Sequence, residues 1–210
     1  MRYSCGTILT IIGTMLVAAA LALLIYDSWD NWRAGNSVAE IQAKLEDADS
    51  SSDVGSTPDD VDGLEDGDAS AEAEMATVEI DGYAYIGTLS ISRFGLELPV
   101  MSEWSYPGLK IAPCRYSGSV WTDDLVICGH NYDRHFGNLK NLEAGDTISF
   151  TDVDGNVFEY EVLEVTTLQP TDIEKMLGTD SGEEEWELTL FTCTIGGQAR
   201  VTVRCSRVEE

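Results

Sequence analysis

The sequence predicts an all-β domain: a closed or nearly closed β-barrel of about eight strands with short helical connections, preceded by an N-terminal transmembrane helix. Three observations support this prediction. A run of twenty uncharged residues lies near the start of the chain. A stretch rich in Asp, Ser, Gly and Ala follows it. From residue 84 onward, short apolar segments alternate with Gly, Asn and Asp turn signals, and seven or eight such strands in about 125 residues are typical of a barrel.

The uncharged run covers residues 7–26. At 1.5 Å per residue, a helix of this length just spans the ~30 Å hydrocarbon core of a bilayer. Arg2 precedes the run, whereas Asp27 and Asp30 follow it. The positive-inside rule therefore puts residues 1–6 in the cytoplasm and the rest of the chain outside, in a single-pass membrane protein. A cleaved signal peptide is the alternative interpretation.

Two segments separate the membrane helix from the barrel. In residues 27–45, the spacing of apolar side chains favours a short juxtamembrane helix. Residues 46–76 hold twelve acidic side chains and no Lys or Arg, which predicts a disordered, self-repelling linker. Residues 77–210, the predicted barrel domain, carry 23 acidic and 9 basic side chains within a chain of net charge −26. This negative field argues against a nucleic-acid partner and favours cationic amines.

The predicted strands alternate apolar and polar residues and are bounded by turn signals. Asp154, Gly155 and Asn156 indicate a hairpin turn between two of them. A short helix is predicted over Pro170–Leu177, with Thr171 as its N-terminal cap. In chain order, the strands are 85–91, 96–101, 126–130, 147–151, 157–167, 186–193 and 200–208.

Cys193 ends one predicted strand and Arg200 begins the next, across a loop that contains Gly196 and Gly197. Opposed side chains in such a hairpin lie about 5 Å apart. A thiol becomes a useful nucleophile only as the thiolate, and a nearby cation favours that form. Arg204 shares the face of Arg200 but lies about 13 Å further along the strand, so Arg200 is the predicted partner.

His130 follows a third apolar strand. Cys, His and Arg at three strand ends predict an acyl-transfer site. His135, five residues later, is the second candidate for the histidine.

The other cysteines are predicted to have no catalytic role. Cys114, Cys128 and Cys205 are interpreted as small buried hydrophobic residues, with a disulfide or a metal site among them as the alternative. There is no Cys-x-x-Cys pair, and Cys128 with His130 alone has poor spacing for zinc. We therefore expect no metal or other cofactor.

Several motifs resemble those of the sortases, which are membrane-anchored cysteine transpeptidases of Gram-positive bacteria. The segment 189–193 reads TLFTC, the strand end 129–131 reads GHN, and Arg200 begins the last strand. The resemblance extends over roughly residues 83–208 in the order of the family. Further matching segments are Ile86–Ile91, Leu98–Val100, Phe136–Leu139 and Leu142–Asp146.

The resemblance implies a function and a role for each site residue. Cys193 would form a thioester with an LPxTG-like sorting signal, His130 would exchange protons, and Arg200 would stabilise the oxyanion. Thr192 is a candidate substrate contact by resemblance alone. The long connection between residues 166 and 185 and the GHN form indicate a class B- or class D-like member.

The resemblance also implies partners. These are secreted proteins with C-terminal LPxTG-like signals and an amine acceptor of peptidoglycan or its lipid-linked precursor. Two alternatives remain open: a membrane-anchored cysteine endopeptidase that transfers the acyl group to water, and a non-catalytic surface-binding barrel.

Overall fold

The computed structural model describes residues 5–51, 74–177 and 186–208. In these residues a long helix, α1 (Cys5–Ser51), precedes a β-domain. Its window Leu9–Tyr26 is long and apolar enough to cross a membrane. The predicted N-terminal apolar helix is therefore confirmed as a candidate span. The helix also continues through the juxtamembrane segment and six residues into the predicted linker, whereas residues 52–73 lie outside the described part of the chain.

The described residues contain nine strands, and eight of them form a closed barrel. The order is β1-β2-β3-β4-β5-β8-β9-β7-β6, and an additional β2–β6 pairing closes the ring. The predicted eight-stranded barrel is therefore confirmed, with β1 as an extra strand beside β2. The strands are β1 (Val78–Ile80), β2 (Tyr83–Ile91), β3 (Leu96–Met101), β4 (Cys114–Ser117), β5 (Leu125–Gly129), β6 (Thr147–Asp152), β7 (Val157–Leu168), β8 (Leu188–Cys193) and β9 (Arg200–Arg207).

Gly87 lies at the closure of the barrel. The first part of β2 pairs with β1, whereas Gly87–Ile91 pairs with β6, and a bulge separates Tyr85 from Gly87 in the pairing with β3. A Cβ at Gly87 would stand 2.1 Å from the carbonyl oxygen of Thr151, and the glycine has φ +151°. Only glycine fits this close approach of two backbones.

Alternation along each strand separates a barrel core from an outer apolar face. On β5 and β8, Leu125, Ile127, Leu188 and Leu190 belong to the buried core inside the barrel. Val126, Cys128 and Phe191 belong to a second cluster on the outer face. The outer cluster is the surface on which the site is built.

Two short helices connect strands around this face: α2 (Tyr106–Leu109) and α3 (Ile173–Leu177). The predicted short helix is present and ends at Leu177 as expected, but it begins at Ile173 rather than at Pro170, so Thr171 is not its cap. The carbonyl of Asp172 accepts the bond from the Met176 amide, and its carboxylate accepts one from the Gln169 amide. The Asp172 amide also donates to the Gln169 carbonyl at 3.0 Å, so residues 169–172 form a turn and the helix starts only after it.

The second half of α1 packs against the barrel. Val38 is 7% exposed and Ile41 is 5% exposed, and each lies in one of the two apolar clusters. Lys44 forms an ion pair with Asp81 at 2.6 Å, next to β1. The helix that contains the candidate span therefore also contacts the β-domain directly.

Candidate active site

Cys193 and Arg200 are directly opposed partners at the adjoining ends of β8 and β9. The connection between them is closed by the Thr194 amide, which donates to the Ala199 carbonyl at 2.9 Å, and by the Ala199 amide, which donates to the Thr194 Oγ1 at 3.0 Å. Gly196 has φ +81°, a conformation that glycine adopts without strain. The tight loop therefore fixes the register of the thiol opposite the guanidinium.

His130 leaves the barrel beside Cys193. β5 and β8 are parallel, and Gly129 is paired with Thr192. The next residue after this pair is His130 just beyond β5 and Cys193 on β8, so both lie at the same edge of the sheet. Both side chains are partly exposed, whereas Gly129 and Thr192 are buried. The structure thus brings together Cys193, His130 and Arg200 at three neighbouring strand ends.

Thr192 has a different geometry from the one expected of a substrate contact. Its side chain is 3% exposed, and its Oγ1 donates a hydrogen bond of 2.8 Å to the Gly129 carbonyl. Alternation along β8 puts Thr192 and Cys193 on opposite faces of the sheet. This hydroxyl ties the end of β8 to the residue that precedes His130, whereas direct substrate contact by Thr192 stays a prediction.

The surroundings of His130 distinguish it from His135. The ring of Tyr132 lies between them, 5.0 Å from the His130 ring and 5.5 Å from the His135 ring. His135 is only 1% exposed, whereas His130 is partly exposed. A buried ring cannot exchange protons with a bound peptide, so the geometry favours His130.

Phe136 supports the end of β5. Its amide donates to the His130 carbonyl at 3.1 Å, and a Cβ at Gly129 would stand 2.7 Å from its ring. Any larger residue at position 129 would displace the phenyl ring that fixes the His130 backbone. The two matching segments, GHN and FGNL, are therefore in direct contact at this corner of the barrel.

The two arginines of β9 have different contacts. The Nη1 atom of Arg200 donates to the carbonyls of Gly197 at 3.2 Å and Ala199 at 3.1 Å, which holds its guanidinium at the loop beside Cys193. Arg204 lies four residues further along and is paired with Thr189 of β8 rather than with Cys193. Position therefore favours Arg200 as the cation of the site.

Arg204 instead connects the segments around α3. It forms an ion pair with Glu164 on β7, and its Nη2 donates to the Lys175 carbonyl at 3.0 Å. Its guanidinium also lies over the Trp186 ring, 4.0 Å from the centroid. Lys175 and Trp186 stand on either side of residues 178–185, so one partly buried guanidinium contacts both flanks of the β7–β8 connection.

An aromatic row leads away from Cys193 along the outer face. Phe191, two residues before Cys193 on the same face of β8, contacts Tyr116 edge-on with a ring separation of 5.4 Å. Tyr116 stacks on Trp104 at 6.0 Å, and Trp104 contacts Tyr106 at 5.6 Å. No role was predicted for these residues from the sequence, although the alternation of Phe191 with Cys193 on one strand was a signal for that residue. Trp104 precedes the four-residue helix α2 and Tyr106 begins it, and a segment this short shows no period in the sequence.

The remaining described cysteines of the barrel are chemically unlike Cys193, which is partly exposed. Burial raises the pKa of Cys114 to about 11 and that of Cys128 to about 12. Burial also raises the pKa of Cys205, which lies in the barrel core. These thiols are protonated at neutral pH, so they are poor nucleophiles there. Among the described residues, no three His, Cys, Asp or Glu side chains are grouped closely enough to hold a metal ion.

Comparison with known proteins adds independent information. A family model described as Sortase domain matches residues 89–208. Sortase A of Bacillus anthracis is 30% identical over 126 residues. This alignment covers 58% of the present chain and 58% of that protein, so the chain spans less than two thirds of this curated relative.

Solved structures of sortases share the barrel. Sortase C1 of Streptococcus agalactiae is 25% identical, with a TM-score of 0.52 over 63% of this chain and 72% of that one. Sortase A of Corynebacterium diphtheriae is 24% identical, with a TM-score of 0.51 over 61% and 62% of the two chains. The fold is thus common to these proteins, and the family model matches more than half of the present sequence. The chain belongs to the sortase family.

Proposed function

We propose that this chain is a cysteine transpeptidase in which Cys193, His130 and Arg200 perform the chemistry. The observation that supports this most directly is the convergence of their strand ends: Cys193 opposite Arg200, and His130 after the residue paired with Thr192. A nucleophile, a proton donor and a fixed cation within one site are the components of acyl transfer. The predicted barrel domain, residues 77–210, contains all three.

Each residue has a role that follows from its chemistry. The Cys193 thiolate attacks the scissile carbonyl, while protonated His130 gives a proton to the leaving amine. The resulting thioester holds the acyl part of the substrate. Neutral His130 then accepts a proton from the incoming amine as that amine attacks the thioester. Arg200 donates hydrogen bonds to the oxyanion in both steps, and its charge is permanent at any working pH.

The substrate is proposed to be an LPxTG-like sorting signal at the C-terminus of a secreted protein. Its apolar and proline residues need an apolar surface next to the nucleophile. Phe191, Tyr116 and the buried Met176 of α3 belong to the apolar cluster on the face of Cys193. Extended peptide laid along β8 from Cys193 would therefore meet aromatic and aliphatic side chains.

The acceptor is proposed to be an amine of peptidoglycan or of its lipid-linked precursor. Residues 77–210 carry a net negative charge, which raises the local concentration of cationic groups. An acceptor attached to lipid would be available close to the membrane, where the candidate span Leu9–Tyr26 would hold the enzyme. We propose accordingly that residues 1–6 are cytoplasmic and that the barrel is extracellular.

The class of sortase stays a prediction. The named relatives are sortases A and C, whereas the sequence features favoured a class B- or class D-like member. An endopeptidase would use the same Cys193 and His130 but would transfer the acyl group to water, and a binding protein would need no thiol.

The proposal is tested by incubating the purified chain in detergent micelles with a library of sorting-signal peptides, with and without amine acceptors. A transpeptidase forms a peptide–amine conjugate whose yield rises with amine concentration, at the expense of hydrolysis. Cleavage that ignores added amine would identify an endopeptidase. If peptides bind but are not cleaved, and if Cys193 is alkylated equally fast with and without peptide, the protein is non-catalytic.

A further inference from the structure

Cys114 on β4 and Cys128 on β5 face each other across the outer surface of the barrel. They are direct partners in the antiparallel register of the two strands. Such partners have Cα atoms about 4.5 or 5.5 Å apart, and both distances fall within the range of about 4.4–6.8 Å that a disulfide needs. In the structure both are free thiols.

The packing around the pair encloses both residues in one apolar cluster. Cys114 is 0% exposed and Cys128 is 5% exposed, and both belong to the outer apolar cluster. Gly108 of α2 packs against Cys114, because a Cβ at this glycine would stand 3.5 Å from the Cys114 Sγ. The Cys114 thiol is also close enough to Cys128 to alter its pKa. Cys205 lies in the other cluster, inside the barrel.

We propose that Cys114 and Cys128 are a site of reversible disulfide formation, oxidised by low-molecular-weight disulfides and linking β4 to β5 two residues before His130. This crosslink does not depend on the transpeptidase function proposed above. It requires only that the two strands keep the register that the fold gives them.

The exchange proceeds in two balanced steps. The Cys128 thiolate, from the more exposed of the two thiols, attacks a small disulfide RSSR, giving the mixed disulfide Cys128–S–S–R and releasing RS⁻, which takes up a proton. The Cys114 thiolate then attacks the Cys128 sulfur and expels the second RS⁻. Overall, two protein thiols are oxidised to one disulfide, and one RSSR is reduced to two RSH.

The surroundings predict that this exchange is slow at neutral pH and faster in mild alkali. Burial raises the pKa of both thiols, to about 11 for Cys114 and about 12 for Cys128, so the reactive thiolates are scarce at pH 7. Oxidation during folding, before α2 covers the pair, avoids this barrier. The crosslink then restricts the unfolded chain and stabilises β5, the strand that precedes His130.

The test is a peptide map of the full chain, carrying Cys193→Ala, after treatment with oxidised glutathione. One sample is treated in the native state at pH 7 and pH 9, and a second is refolded from urea in the same reagent. Trypsin cleaves after Lys110, Arg115 and Arg134, so the two cysteines fall on different peptides, 111–115 and 116–134. Their disulfide-linked product is identified by mass and disappears on reduction.

We expect the 111–115/116–134 product in the refolded sample, and in the native sample faster at pH 9 than at pH 7. The oxidised protein should show a thermal midpoint about 5–10 °C above that of the reduced protein. Cys128→Ala should abolish both the product and the rise in the midpoint, whereas Cys205→Ala should abolish neither.

Two results would overturn the proposal. One is the absence of this product from both samples. The control for the reagent is the protein with Cys193 intact, in which a glutathione adduct on Cys193 shows that the reagent is active. The other is a linkage of Cys114 or Cys128 to a different cysteine. The variant Cys193→Ala isolates the crosslink from the proposed nucleophile, so the transpeptidase proposal is unaffected by either outcome.

Discussion

Cys193 and Arg200 occupy directly opposed positions on β8 and β9, at the end where the two strands are joined by a six-residue loop. The strand pairing, rather than a flexible side chain, therefore determines how close the thiol and the guanidinium are. Arg200 is also held by two loop carbonyls. A site built on strand ends is more precisely arranged than one built on separate loops.

The first prediction concerns the nucleophile. Replacing Cys193 with Ala should abolish thioester formation with a sorting peptide, because it removes the thiol that attacks the carbonyl. Cys193 is partly exposed, so the loss of its sulfur should change the thermal midpoint little. Mass spectrometry of the acyl-enzyme and peptide cleavage measure the result, with Cys205→Ala as the control for loss of a buried thiol. Cleavage by Cys193→Ala near the wild-type rate would refute the assignment.

The second prediction compares the two arginines of β9. Arg200→Lys should lower kcat for peptide cleavage by about 100-fold, because an ammonium group loses the planar fork that holds an oxyanion. Arg204→Lys should leave kcat nearly unchanged but raise KM. Its contacts with Trp186 and the Lys175 carbonyl hold the segments beside α3, where the peptide is proposed to bind.

Steady-state kinetics of both variants with one peptide separate these outcomes. Equal losses of kcat would mean that the oxyanion partner is misassigned. An unchanged KM in Arg204→Lys would mean that the contacts of this arginine do not influence peptide binding beside α3.

The third prediction separates positioning from substrate contact at Thr192. Thr192→Val keeps the shape of the side chain but leaves the buried Gly129 carbonyl without its 2.8 Å donor, which should cost about 1–3 kcal/mol of stability. Because Gly129 precedes His130, kcat should fall by a similar factor for every sorting peptide. Thr192→Ser retains the donor and should recover most of kcat. Losses confined to KM and dependent on the peptide would restore Thr192 as a substrate contact.

The fourth prediction concerns alkaline pH. The pKa of Cys114 and of Cys128 is raised in the folded protein from 9.0 to about 11 and about 12, and burial is the cause. A raised thiol pKa means that folding favours the neutral form. This contribution to stability is complete below pH 9 and is lost as the pH rises from about 9 towards 12, because only the unfolded thiols ionise readily.

Urea unfolding under reducing conditions at pH 8 and pH 10.5 measures this effect. We expect a loss of about 1–2 kcal/mol for each buried thiol at the higher pH. Cys128→Ala should make the pH dependence less steep than in the parent protein. An unchanged free energy of unfolding between the two pH values would show that the thiols are solvated when folded.

Some elements of this fold could be predicted from the sequence and others could not. The Cys193–Arg200 pairing could be predicted because two strongly alternating segments flank a short Gly-containing loop. Strands β1 and β4 were missed, since Val78–Ile80 and Cys114–Ser117 are too short to show a period. Their place in the sheet is set by pairing with β2 and β5, which is a tertiary effect.

Other parts of the site depended on contacts that no local pattern shows. The alternation of Leu188, Leu190 and Thr192 in β8 indicated that the threonine faces inward, and this signal was available in the sequence. The packing of Trp104 on Tyr116 had no such signal in the sequence, because the contact joins two segments that are connected by the short helix α2 and irregular backbone. The choice of Arg200 over Arg204 could be made from strand position alone, but the contact of Arg204 with Trp186 could not be predicted, because it depends on the folded chain.

The last prediction concerns the attachment of the barrel to the membrane. Helix α1 continues from the candidate span to Ser51 and contacts the β-domain through Ile41 and the Lys44–Asp81 ion pair. The twelve residues from Tyr26 to Val38 rise about 18 Å along a helix, at 1.5 Å per residue. The barrel should therefore be held about this far from the end of the candidate span. It should not be free to move over the full reach of the linker predicted for residues 46–76.

Adding a glutamate-specific protease to wall-stripped cells tests on which side of the membrane the barrel lies and whether α1 holds it there. Cleavage at Glu65 or Glu72 separates the barrel from α1, and the buried contacts then retain the fragment at the membrane for a time. Ile41→Asp puts a charge into the apolar contact and should release the fragment several times faster, whereas Ala39→Asp, which puts the same charge on the exposed side of the helix, should not. Equal release from all three proteins would show that α1 does not hold the barrel, and full protection from protease would contradict its extracellular placement.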